Sequence, residues 1–230
     1  LSSKMADKIK NFSEIGTTSL RRNALGIIEA GLGAIDTEFA IKNSIRLEGE
    51  VLAIKEETIS LSDINNIFLV GIGKCAFLAA RAMEEILGER LKGGVAVDVR
   101  EGELKNIKTF IGDHPYPSQK NVEATNAIMT LISKLKKDDL VIFVVSGGGS
   151  TLLCQPTNFK FEAEIKLMDC LFKKGADIFE INTVRKHISL ARGGQLAKYA
   201  YPATIVSLIF SDVSGDDLEF IASGPTVRDT

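Results

Sequence analysis

Two kinds of apolar pattern alternate along this chain. One recurs every three or four positions and predicts helices. The other is a short unbroken run and predicts strands buried on both faces. The segment "TTSLRRNALGIIEAGLGAI" (17–35) is of the first kind, with Leu20, Ala24, Ile27, Ile28, Gly31 and Ile35 at helical spacing. Asp36 and Thr37 are N-cap candidates for a second helix through Ile45. "EVLAIKEETISL" (50–61) alternates about a charged middle and predicts a small β-hairpin.

From residue 66 the two patterns take turns. "NIFLVGIGK" (66–74) predicts a buried strand, and "AFLAARAMEEILGERL" (76–91) a helix. "GVAVDV" (94–99) and "KTFIGDHPYP" (108–117) predict two more strands, the second ended by Pro115 and Pro117. "NVEATNAIMTLISKLKKDD" (121–139) predicts a helix and "LVIFVVSGGGS" (140–150) the fourth strand. Helical patterns follow over 161–175 and about 180–200, and "ATIVSLIFSDV" (203–213) is the fifth strand. Such alternation predicts an α/β fold: a mostly parallel sheet covered by helices on both faces, with extra N-terminal helices and a small hairpin.

Composition narrows the function classes. The 230 residues are 45% hydrophobic and 25% charged with a net charge of −2, which is ordinary for a globular domain and offers no basic field for nucleic acid. No apolar run reaches the roughly 18 residues of a membrane span. Cys75, Cys154 and Cys170 are scattered, which fits a reducing, cytoplasmic setting better than a zinc site or a disulfide framework. A homodimer is admitted as an assembly.

In parallel sheets, ligands bind beyond the carboxyl ends of the strands. Four strand-end segments therefore matter: Gly71–Lys74, Asp113–Pro117, Ser146–Ser150 and Ser211–Asp217. Gly71, Gly73 and Ala76 fit the weaker GxGxxA form of the Rossmann fingerprint, with Asp98 where a ribose-binding acid would lie. Lys74 inside that loop suits phosphate or carboxylate better than a dinucleotide. Ser146-Gly147-Gly148-Gly149-Ser150 can form a concave nest of backbone N–H groups, flanked by hydroxyls. Asp212, Asp216 and Asp217 offer hard oxygens suited to Mg²⁺. Arg185 fits a carboxylate or phosphate, and helical spacing would align it with Ser189 and Arg192. Asp113 and His114 add an acid and an imidazole. The GxSxG elbow of serine hydrolases is absent, and the only histidines are His114 and His187.

"VGIGKCA", "GDHPYPSQKNVEAT", "VVSGGGSTLL", "NTVRKHISLARGGQLA" and "FSDVSGDDLEFIASGPTV" occur here in one order. Together they resemble the glycerate 2-kinase family over roughly residues 15–230. Cys75 stands where the family pattern usually has Ala, and Ser214 where it usually has Pro. Neither change removes a polar group the chemistry would need. The resemblance implies a Rossmann-like domain over 1–230, ATP as phosphoryl donor, a divalent metal, D-glycerate as substrate and an active-site role for Lys74. It also implies a second α/β domain after 230 that contributes a catalytic arginine.

On this reading Lys74 neutralises the moving phosphoryl group or the glycerate carboxylate, and 146–150 cradle phosphate. Asp212 or Asp216 holds Mg²⁺, and Arg185 takes the glycerate carboxylate. Asp113, His114 and Asp212 stay open as the base. Two rivals stand beside it: a dinucleotide-dependent oxidoreductase built on Gly71, Gly73, Ala76 and Asp98, and a non-enzymatic sugar-phosphate-binding domain.

Overall fold

The computed structural model describes residues 8–230. The N-terminal region holds α1 (Phe12–Ile15), α2 (Ser19–Ala34) and α3 (Thr37–Ser44), followed by β1 (Ile45–Glu48), β2 (Val51–Ile54) and β3 (Glu57–Ser60). The α/β body then runs β4 (Asn66–Ile72), α4 (Ala76–Leu87), β5 (Leu91–Asp98), β6 (Ile107–Ile111), α5 (Gln119–Ile132) and β7 (Asp139–Val145). It ends with α6 (Gly149–Leu152), α7 (Phe161–Lys173), α8 (Ile178–His187), α9 (Gln195–Ala200) and β8 (Thr204–Ile209).

Five parallel strands lie in the order β6-β5-β4-β7-β8. The alternation of β7 shows why both faces must be apolar. Val141, Phe143 and Val145 join one core layer with Ala124, Ile128 and Ile132 of α5. Leu140, Ile142 and Val144 join the other, with Ala79, Met83 and Leu87 of α4. From β4 the chain steps outward to β5 and β6, then returns to place β7 on the other side of β4. The crevice of such a sheet opens at this switch, beyond the ends of β4 and β7.

Several expectations are corrected. The second helix stops at Ser44 because Ile45 already pairs with Ile54, so the hairpin is a three-stranded antiparallel sheet. The helix expected over 76–91 ends at Leu87, and Gly93 and Gly94 lie inside β5. The helix expected over about 180–200 breaks after His187, and Arg192 leaves the face it was to share with Arg185. There Gly193 and Gly194 have positive φ and donate backbone hydrogen bonds to Ser223 and Gly224 (2.9 and 2.7 Å). The apolar stripe of α2 is exposed, Leu20 at 78% and Ile27 at 76%. No helix among the described residues is long and apolar enough to cross a membrane.

Candidate active site

The loops after β4 and β7 are bound to each other before any ligand arrives. The Ser146 N–H donates to the Ile72 carbonyl at 2.9 Å, and the Lys74 N–H donates to the Gly147 carbonyl at 3.0 Å. The Cys75 N–H reaches the Ser146 hydroxyl at 3.3 Å. Gly73, at φ +115°, lies so close that a Cβ there would sit 2.2 Å from Ser146 Oγ. Gly71 is buried within β4, against Ala76 and Ala96.

Two of the three glycines in 147–149 carry charged side chains on their bare faces. A Cβ on Gly147 would lie 2.0 Å from Asp212 Oδ2. A Cβ on Gly148, at φ +84°, would lie 3.0 Å from Lys74 Cγ and Cε. Lys74 and Asp212 are both exposed, so an ammonium chain and a carboxylate flank the loop from solvent. Gly149 opens α6, and the Ser150 hydroxyl is spent on Ser223 Oγ at 2.7 Å.

The loop after β6 joins them through a residue that sequence reasoning missed. Asn121 is fully buried; its Nδ2 donates to the carbonyls of Asp113 (3.0 Å) and Thr151 (3.1 Å). Its Oδ1 accepts from the Asp113 N–H at 3.0 Å. The only local signal was the Ser118-x-x-Asn121 spacing of a capping box. Asp113 is held below the ordinary carboxylate range by the Ser118 hydroxyl and then Lys120, whose Nζ is 3.5 Å away. Partial burial, then the charges of Lys74 and Arg185, push the His114 imidazole below its usual value.

Arg185 sits on α8 with its Nε enclosed and unpartnered. Burial, then Arg192, lowers its pKa, yet a guanidinium stays charged at any working pH. Arg192 belongs to a different structure: it is fully buried, its Nη1 2.9 Å from Glu164 Oε1 and its Nη2 donating to the Leu153 carbonyl at 2.5 Å.

The acids divide. Asp216 is exposed in a left-handed turn, and its carboxylate makes no hydrogen bond or ion pair among the described residues. Asp217 Oδ1 is taken by the Glu219 N–H at 2.9 Å. No group of three or more His, Cys, Asp or Glu among the described residues is placed to hold a metal. Asp98 is unavailable for a ribose, being 2% exposed and accepting from the N–H groups of Phe77 (2.9 Å), Val99 (2.6 Å) and Arg100 (3.2 Å). That removes the acid a dinucleotide site needs.

A family profile described as a domain of unknown function, DUF4147, matches residues 23–230. The chain belongs to the DUF4147 family. This DUF4147 chain is 36% identical over 216 residues to the D-glycerate 2-kinase of Thermotoga maritima, covering 92% of itself and 48% of that protein. It is 38% identical over 231 residues to the glycerate kinase of Rattus norvegicus, covering 92% and 44%. A solved structure from Pyrococcus horikoshii OT3 superposes with a TM-score of 0.84 at 35% identity, over 93% of the DUF4147 chain and 48% of the other. The crystal structure of the Thermotoga maritima glycerate kinase gives 0.79 at 35% identity, over 92% and 49%. The chain thus has the α/β fold of these proteins and spans about half the length of the relatives it matches.

Proposed function

We propose that this chain supplies the N-terminal half of an ATP-dependent kinase that converts D-glycerate to 2-phosphoglycerate. The observation that carries the reading is the contact of Lys74 and Asp212 with two adjacent glycines at the switch point of the sheet. Phosphoryl transfer asks a protein mainly for positioning and charge neutralisation, and these are the groups for it. Named glycerate kinases among the relatives supply the substrate.

In this reading the backbone N–H groups of Gly147, Gly148 and Ser150 hold phosphate oxygens, that of Gly149 being spent on the Ser146 carbonyl at 3.2 Å, and the Lys74 ammonium faces the moving phosphoryl group. Arg185 holds the glycerate carboxylate. Mg²⁺ is commonly bound by one or two carboxylates together with substrate phosphates, and Asp212 beside the cradle fits that pattern, with Asp216 as the second donor. A Mg²⁺ held there would neutralise phosphate charge. The glycerate 2-hydroxyl oxygen bonds to the γ-phosphorus as the bond to the ADP oxygen breaks. The hydroxyl proton passes to His114, which partial burial and then its cationic neighbours hold below its usual pKa, in preference to Asp113. A second α/β domain after Thr230 closes over this edge and brings the catalytic arginine. The setting is cytoplasmic.

The test is full-length protein with ATP and D-glycerate, the product's regiochemistry read by ³¹P NMR. Lys74→Ala should lower kcat by about 10²-fold or more, as removal of an electrostatic stabiliser does. Turnover near that of the unmodified enzyme would remove Lys74 from the chemistry.

A further inference from the structure

Beside the cradle, the Pro115–Pro117 loop, Thr151, α7 and Arg185 enclose a cavity of about 240 Å³. This is small against the roughly 300–1,000 Å³ of pockets for drug-sized ligands. Much of its wall is apolar, from Tyr116, Ile165, Met168 and Phe172. Its charged residues are Glu164, Asp169 and Arg185. Glu164 is 2% exposed and committed to Arg192 at 2.9 Å. It therefore neutralises Arg192 and forms no ion pair with Arg185. Arg185 makes no ion pair among the described residues, and its buried Nε has no acceptor. A buried donor left unpaired is costly, and such a group commonly marks a missing partner. Asp169 lines the same cavity and likewise makes no ion pair among the described residues.

We propose that this cavity is the acceptor pocket, selecting short hydroxy-monocarboxylic acids by placing the carboxylate on Arg185 and a non-reacting hydroxyl on Asp169. The proposal rests on the phosphoryl-transfer reading and adds the residue that sets specificity. A guanidinium fork matches a carboxylate bidentately. An ionised Asp only accepts hydrogen bonds, so it welcomes a hydroxymethyl arm and repels a second carboxylate at that place. Thr151 belongs both to the cavity wall and to α6, and Pro115 follows His114. An acid seated in the cavity therefore lies next to the cradle and the base.

The experiment titrates the full-length protein calorimetrically with D-glycerate, D-lactate and tartronate. Lactate replaces the hydroxymethyl arm with methyl, and tartronate replaces it with carboxylate. The unmodified protein should bind glycerate at least tenfold more tightly than either. Arg185→Gln should weaken glycerate at least tenfold while ATP affinity holds. Asp169→Asn should bind tartronate at least tenfold better than the unmodified protein does, a gain that damage to the fold cannot produce. If Arg185→Gln does not fold, Asp169→Asn carries the test alone. Glycerate binding within twofold of normal in Arg185→Gln, or continued rejection of tartronate by Asp169→Asn, overturns the proposal. Product formed from ATP and glycerate alongside those results leaves the kinase reading intact. Arg185-dependent glycerate binding without any phosphorylated product overturns the kinase reading instead and keeps the pocket.

Discussion

Cysteine chemistry in this chain is decided by surroundings. Burial, then the Glu164 carboxylate, pushes the Cys154 thiol up to about 12. Burial also raises Cys75, the residue next to Lys74. Cys170 is exposed on α7. Only the thiolate attacks a disulfide or alkylating reagent. At pH 8 an alkylating reagent should therefore label Cys170 quickly and leave Cys154 unmodified in the native protein. Peptide mapping by mass spectrometry reads this directly, and native labelling of Cys154 at the Cys170 rate contradicts it. Residue-scale legibility was uneven for a related reason. Lys74, Asp212 and the 146–150 glycines stand out in the sequence because charge and glycine follow apolar runs. Asn121 and Ser223 do not, because the groups they serve lie on other loops, far along the chain.

At the level of elements, the Glu164–Arg192 pair fixes how α7 meets the loop between α8 and α9. Both side chains are buried, so removing one strands the other charge away from water. Arg192→Met should destabilise the fold by about 3–5 kcal/mol in urea denaturation. Glu164→Leu combined with Arg192→Met should recover much of that loss, because an apolar pair of similar volume needs no charge partner. The same pair explains a misread boundary. The pattern over 180–200 stays helical in its apolar spacing, but Arg192 turns inward and Gly193, Gly194 and Leu196 donate to Ser223, Gly224 and Pro225. Long-range bonds of this kind override a local period. Strands β4, β5 and β7 were legible because burial on both faces leaves an unmistakable run, and the edge strand β8 because its partly buried apolar residues pack on both core layers. Strand β1 was not, because its first residue, Ile45, continues the period of α3.

Across the whole molecule, the C-terminal segment is tied to α8 by the Phe179–Phe220 ring pair, by Asn182 with Ser223, and by the charge of Lys186. The Lys186 Nζ pairs with Glu219 at 3.2 Å and with Asp229. Burial alone would lower its pKa, but the Asp229 and Glu219 carboxylates outweigh that and raise it above 10.5. Glu219 is held below 4.5, first by Thr230 and then by Lys186. The signs set two limits. The lysine's contribution is complete below pH 10.5 and is lost as pH rises through its higher folded value. The glutamate's contribution is present above pH 4.5 and is lost as pH falls through its lower folded value. Hydrogen exchange of residues 219–229 should thus be slowest, relative to the intrinsic rate, on a plateau between those limits. Protection that persists unchanged in Glu219→Gln would show that the tether does not depend on Glu219.

The laced loops at the ends of β4 and β7 have one more consequence. Their backbones are already joined by Ser146 to Ile72 and Lys74 to Gly147, and Gly73 leaves no room between them. A loop that a ligand must freeze charges its disorder against affinity. Here that ordering is completed when the chain folds, so the anion site proposed at this edge of the sheet is ordered before any ligand arrives. A cavity-making substitution in the β4–β7 core, far from any charge, would then weaken anion affinity by loosening the receptor.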